Sequence, residues 1–237
     1  MIGILYICTG KYHIFWKDFY LSAQQYLLPG QEKTYFIFTD AEEIYDEKLP
    51  HVKKIYQKSM GWPYNTLMRF HVFSKVKSHL QKCEYLFFIN ANTKFVDVVG
   101  EEILPGREHG GLMGVIHPGF WNKTGNEFTY ERNPESEAYI EQGLGNHYYM
   151  GAFNGGMTDA YLELVDALRV SIDKDLEKGI IAEWWDESHL NRYFLDKEPL
   201  SLSPSYLYFE DYHLPFEPKL EILDKVKYGG HAFLRGQ

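Results

Sequence analysis

The chain has only two cysteines, Cys8 and Cys83, too few for a disulfide framework or a cysteine-based zinc cluster. Cys8 stands in an apolar run and reads as a small buried hydrophobe rather than a reactive thiol. No stretch approaches about 18 continuous apolar residues, so no membrane-spanning helix is expected. The amino-terminal run MIGILYICTGKYHIFW lacks a basic leader and a small-residue cleavage site. It reads as a first buried strand, and a soluble cytoplasmic protein is the expectation. Basic residues are in deficit, with 24 Lys and Arg against 33 Asp and Glu and a net charge of -9. That balance argues against a phosphate-tracking surface, hence against nucleic acid or an anionic membrane as partner. Internal repeats, low-complexity tracts and a clear linker are also missing. One domain over residues 1–237 follows, with residues of about 1–97 as a nucleotide-binding half and about 98–237 closing the other side of a cleft.

Aromatic residues, in contrast, are abundant at 17% of the chain, which suits both a large core and the C–H faces of sugars. Strand-like runs recur at Ile2–Cys8, Thr34–Phe38, Val52–Tyr56 and Tyr85–Ile89. Helical patterns at Phe15–Leu27 and Tyr64–Leu80 separate them. Such alternation predicts an α/β fold with a mostly parallel central sheet. The runs FIFTD, ending at Asp40, and FFINAN, ending at Asn92, are expected to open onto one crevice, because ligands of such sheets gather at strand carboxyl ends. Farther on, short strands are expected at Leu112–Ile116 and Tyr148–Phe153, a tight turn at Gly155-Gly156, and a helix from Thr158 to about Lys178.

The densest chemistry lies in EWWDESHLNRYFL, Glu183 to Leu195. Its periodicity predicts a helix with Asp186 and Glu187 in the first turn and Trp184 and Trp185 just before it, shaping a sugar pocket. Carboxylates there equally suit simple helix capping. In HYYMGAFNGG, Gly151 and Ala152 leave room beside the backbone for a ligand or for a close strand crossing. HPGFW and FTYERNPESEAY are polar, aromatic loops whose His, Thr and Tyr could bond sugar hydroxyls, although solvated loops have the same composition.

Together, YFIFTD, CEYLFFINAN, FTYERNPESEAYI, YYMGAFNGG, WDESHLNRYFL and LSPSYL, in that order from about residue 5 to the end, resemble the retaining glycosyltransferases of family 6. That family includes the ABO blood-group transferases and the α1,3-galactosyltransferase. The resemblance implies a GT-A fold, a UDP-GalNAc or UDP-Gal donor, and α1,3 transfer to an oligosaccharide acceptor ending in a β-galactoside, fucosylated as in 2'-fucosyllactose. It implies that Glu187 is the catalytic carboxylate beneath the donor's anomeric carbon, with a second part on the acceptor side. It assigns Tyr12, Arg69, Met150, Gly151, Ala152, Asn154 and Asp186 to the donor, and His117, Thr129 and Trp184 to the acceptor.

The chain departs from that pattern at the end of the fourth run. Where animal members carry an Asp-X-Asp metal motif, it reads Asn90-Ala91-Asn92. Neutral amides are poor ligands for a hard cation, so the expectation is no divalent metal and no other cofactor. Asn90 and Asn92 then face the donor uncharged. The diphosphate falls to Arg69 and to Lys227, His231 and Arg235 of the tail, in which Gly229 replaces a lysine of the animal enzymes. The sugar cues conflict: Met150 and Ala152 match the galactose pair of the blood-group enzymes, whereas Asn154 replaces a bulky aromatic and suits an acetamido group. GalNAc is the leading expectation, with Gal as the alternative. A catalytically inactive carbohydrate-binding protein and a hydrolase of UDP-sugars are the rivals from other classes.

Overall fold

The structure is a computed structural model that describes residues 1–236. Strands β1 (Ile2–Ile7), β2 (Lys33–Thr39), β3 (Val52–Tyr56) and β4 (Tyr85–Ile89) pair in parallel, β1 lying between β2 and β4. A short strand β5 (Thr93–Phe95) follows, then β6 (Leu112–Ile116), β7 (Tyr149–Met157) and β8 (Leu200–Leu202). The main sheet has the order β3-β2-β1-β4-β7-β6-β8, with β7 antiparallel to both its neighbours. The strands β9 (Tyr208–Phe209) and β10 (Leu220–Ile222) form a small second sheet with β5.

The helices are α1 (Trp16–Tyr26), α2 (Tyr64–Leu67), α3 (Arg69–Ser74), α4 (Lys77–Leu80), α5 (Thr158–Glu177), α6 (Asp186–Leu195) and α7 (Gly230–Arg235). Apolar layers cover both sheet faces, as a parallel sheet requires. Successive residues of a strand point to opposite faces, and β4 shows it: Phe87 packs with Tyr6, Trp16 and Phe19 on one side, Phe88 with Phe73, Tyr161 and Phe194 on the other. Cys8 and Cys83 are buried and free within these layers.

Three expectations need correction. Residues 64–80 form three short helices, because Met68 (φ -91°, ψ 15°) and Val76 (φ -119°, ψ 18°) leave the helical region. The pair Gly155-Gly156 is no turn: β7 runs straight through it. A Cβ on Gly155 would strike Phe87 and the Leu86 backbone, and one on Gly156 the backbone of Gly111 and Leu112, so close strand approach demands glycine. Asp40 does not line the crevice; it accepts hydrogen bonds from the amides of Gly10 (2.7 Å) and Ser59 (3.2 Å) and so shapes the loop after β1.

Candidate active site

The chain returns to β1 to lay β4 on the side away from β2, so the winding reverses at β1. At the carboxyl ends of β1 and β4, where such a reversal leaves a crevice, lies a cavity of about 240 Å³. Thr9 and Tyr12 line it from the segment after β1, Asn90 and Ala91 from the end of β4, and Met150, Gly151 and Ala152 from β7. Arg69 enters from α3, Trp184 and Trp185 from the approach to α6, Asp186 and Glu187 from its first turn, and His231 and Arg235 from the tail.

At the floor of the cavity, Gly151 binds both signs of charge. Its amide donates to Glu187 Oε2 at 2.7 Å, while its carbonyl accepts from Arg69 Nη1 at 2.6 Å. Any larger residue would crowd Glu187, since a Cβ would lie 3.3 Å from the Glu187 Cβ. The Tyr148 hydroxyl donates to Glu187 Oε1 at 2.9 Å, so both carboxyl oxygens are held. Burial, opposed by these two donors, lifts the Glu187 pKa to about 7. Arg69 also pairs with Asp186 at 3.1 Å, both side chains nearly inaccessible, and its guanidinium lies 4.0 Å over the Phe88 ring. Burial raises Asp186 to about 6 against the pull of Arg69. Asp186 Oδ1 and Arg69 Nε, both on residues of the cavity wall, are buried without a hydrogen-bond partner among the described residues.

Trp185 presents these carboxyls from a left-handed backbone (φ 54°, ψ -125°), a conformation that costs a bulky residue about 1–3 kcal/mol. Its ring meets Trp62 edge-on at 4.2 Å, and the Arg235 guanidinium covers Trp62 at 3.9 Å, which completes a lid of aromatic and cationic groups. Burial keeps the Tyr12 hydroxyl raised, although Arg235 pulls the other way. Lys225, which sequence reasoning passed over, lines the cavity and reaches over Tyr12; burial and Arg235 lower its pKa to about 8.

The remaining expected residues lie outside that lining. Lys227 points away and pairs with Glu210 at 2.6 Å; two positions apart in a 3-10 turn, Lys225 and Lys227 face different ways. Asn154 is fully buried behind the floor, donating to the Gly151 carbonyl at 3.1 Å and accepting from Tyr161 at 2.8 Å. It supports Gly151 and, fully buried, presents no surface to the cavity. His117 and the exposed Thr129 gather around Tyr148: the His117 ring lies edge-on to it at 5.7 Å, and the Thr129 hydroxyl approaches its phenol. His117 Nδ1 accepts the Gly119 amide at 2.9 Å and burial lowers its pKa to about 4, so it is neutral with Nε2–H free to donate. Tyr148, Trp62, Asn65 and Thr66 were not expected from the sequence; Tyr148 stands just before β7, in a buried aromatic cluster, and reaches Glu187 through its hydroxyl.

Asn90 and Asn92 do not fit a hard cation. Asn90 Nδ2 donates to Asn92 Oδ1 at 3.1 Å, and Asn92 Nδ2 to the Leu223 carbonyl at 3.0 Å, so the Asn92 oxygen is engaged and the pair brings no carboxylate. Among the described residues no group of three or more His, Cys, Asp or Glu is arranged to hold a metal ion, and no helix is long and apolar enough to cross a membrane.

Residues 1–231 match the family model described as Glycosyltransferase family 6. The chain is 37% identical over 227 residues to the O-antigen biosynthesis glycosyltransferase WbnI of Escherichia coli, covering 96% of each chain. It is 34% identical to histo-blood group ABO system transferase 2 of Rattus norvegicus, over 87% of this chain and 63% of that protein. With globoside alpha-1,3-N-acetylgalactosaminyltransferase 1 of Gallus gallus the identity is 32%, over 94% of this chain and 65% of that protein. The chain thus spans under two thirds of the length of these animal relatives. A family match that omits only the final residues, joined to a bacterial relative aligned over nearly its whole length, means that the chain belongs to glycosyltransferase family 6.

Proposed function

We propose that the protein transfers a galactose-type sugar from a UDP-sugar to the 3-hydroxyl of a β-galactoside, with retention of anomeric configuration and without a divalent metal. The observation that carries this reading is the cradle of Glu187, whose oxygens are aimed by the Gly151 amide and the Tyr148 hydroxyl at the seam between donor-side and acceptor-side residues. A carboxyl so held can stabilise or trap positive charge at an anomeric carbon, the task of the second carboxylate in retaining sugar chemistry. The diphosphate charge that develops on leaving meets Arg69, Lys225, His231 and Arg235 in the same cavity. His117 Nε2–H and the Thr129 hydroxyl, around Tyr148, suit the hydroxyls of the acceptor galactose.

Of the two donors, the wall favours UDP-Gal. Met150 and Ala152, the pair that accompanies Gal in the family resemblance, line it, whereas Asn154 is buried behind the floor and does not reach the cavity. This reverses the leading sequence expectation of GalNAc. The deciding measurement is a panel of UDP-Gal and UDP-GalNAc against lactose and 2'-fucosyllactose in excess EDTA. Transfer is expected to survive chelation and to run roughly tenfold or more faster with UDP-Gal, the scale on which pocket size discriminates. Turnover lost in EDTA and restored by Mn²⁺ would remove the metal-independent reading. Donor cleavage without transfer would mark a hydrolase, and binding without any turnover an inactive sugar-binding protein.

A further inference from the structure

One carboxyl group near the site is unused by the chemistry above. Glu131 is buried in the loop between β6 and β7, and both of its side-chain oxygens are committed to backbone amides: Oε1 accepts from Asn133 at 2.7 Å and Oε2 from Glu183 at 2.7 Å. The second bond crosses from the loop that carries Thr129 to the segment that carries Trp184, the two places from which acceptor-side groups come. Farther along the same loop, Asp175 of α5 accepts from the Ser136 hydroxyl at 2.5 Å and from the Glu137 amide at 2.7 Å. Ser171 of α5 in turn meets His189 of α6 at 2.7 Å. The middle of the loop is therefore bound at residue 131 to the approach to α6 and at residues 136 and 137 to α5. Neither binding carboxyl touches the donor cavity or the cradle of Glu187.

We infer that Glu131 is a positioning residue for the acceptor, holding the Thr129 loop against the Trp184 segment so that the acceptor hydroxyl meets the anomeric carbon. The inference rests on the transferase reading above. It separates two reactions that share the donor and differ in the second substrate: transfer to sugar needs this loop in place, and hydrolysis by water does not. A glutamine at 131 keeps the shape but offers one oxygen to two N–H donors, so one tie is lost and an amide N–H is set against another. Losing a buried hydrogen bond to a charged partner is worth roughly tenfold or more in an equilibrium.

The experiment measures transfer to 2'-fucosyllactose and hydrolysis of UDP-Gal, side by side, on the wild-type protein, Glu131→Gln and Asp175→Asn. The expected result for Glu131→Gln is an acceptor KM raised about tenfold or a matching fall in transfer kcat/KM. Donor hydrolysis and UDP affinity should stay within about twofold. Asp175→Asn replaces the charged acceptor of the Ser136 and Glu137 bonds by a neutral amide, which weakens the tie without removing it, and is expected to show the same split with a smaller size. Equal loss of transfer and hydrolysis in both variants, or no change in either reaction, overturns the inference. Should Glu131→Gln melt below the assay temperature, the Asp175→Asn ratio of transfer to hydrolysis decides alone. A wild-type protein that neither transfers nor hydrolyses would instead overturn the transferase reading, so the failures are distinguishable.

Discussion

At the scale of single residues, Glu187 concentrates the argument. Its carboxyl must be ionised to serve a cationic anomeric centre, so with a pKa lifted to about 7 activity is expected to rise with pH through that value and be lost below it. The same shift has the opposite sign for stability. A carboxyl whose folded pKa lies above its unfolded value of about 4.3 stabilises the fold while protonated in both states, and that contribution declines as pH climbs from there to about 7. Asp186, raised to about 6, adds in the same direction over a narrower window. Glu187→Gln removes the titration: its oxygen takes the Gly151 amide, and its NH₂ donates to Tyr148, which can accept. Transfer and hydrolysis should both fall roughly 100-fold or more, the acid limb of the pH profile should vanish, and Tm at pH 8 should not drop. Near-normal turnover with a lowered Tm would show a helix cap instead. From the sequence, residue types and their place in the first turn of α6 were legible, but the local pattern favoured capping and only the family resemblance pointed to catalysis. The contacts with Gly151 and Tyr148, distant in sequence, could not be read there.

At the scale of elements, local pattern carried β3, β4 and β6 to their observed ends: β4 and β6 are buried apolar runs, and β3, VKKIY, is a mixed edge strand. The pattern failed where neighbours decide: the broken helix at Met68, which turns Arg69 toward Gly151, and the glycines of β7, which answer to Phe87 and Leu112. The Asn90-Ala91-Asn92 segment belongs here too. Beyond lacking charge, it roots the tail, since the Asn92 carbonyl accepts from the Leu223 amide at 2.9 Å and its Nδ2 donates to the Leu223 carbonyl. Aspartate at 92 would set oxygen against oxygen and leave the Leu223 carbonyl unsatisfied, a cost of about 1–3 kcal/mol. Asn92→Asp is therefore expected to weaken UDP binding about tenfold in EDTA, with little rescue by Mn²⁺ because position 90 is still neutral. Isothermal titration with UDP checks this, and unchanged affinity would detach the triplet from the tail.

At the scale of the whole molecule, a chain of net charge -9 brings three of its cations, Arg69, Lys225 and Arg235, to one cavity, with His231 beside them. Arg69 belongs to the body of the fold, whereas Lys225, His231 and Arg235 come from the last residues, laid over Gly10, Tyr12 and Phe15. The sequence announced a basic tail but chose Lys227 over Lys225, because which side of a 3-10 turn meets the cavity depends on how the tail docks. Docking buries few large groups, chiefly Leu234 and part of Phe15, while the two main apolar layers lie elsewhere. A chain ending at Leu223 should therefore keep its fold, with Tm lowered by a few degrees for about 1.5–3 kcal/mol of lost side-chain burial. Binding should suffer far more, because desolvated cations facing a diphosphate lose roughly 2–5 kcal/mol of interaction when removed. UDP affinity is expected to fall 100-fold or more, and its dependence on ionic strength to flatten as the charges that salt screens are gone. A truncated protein that binds UDP normally would leave Arg69 as the sufficient cation and the tail as a cover; one that unfolds would make the tail part of the core.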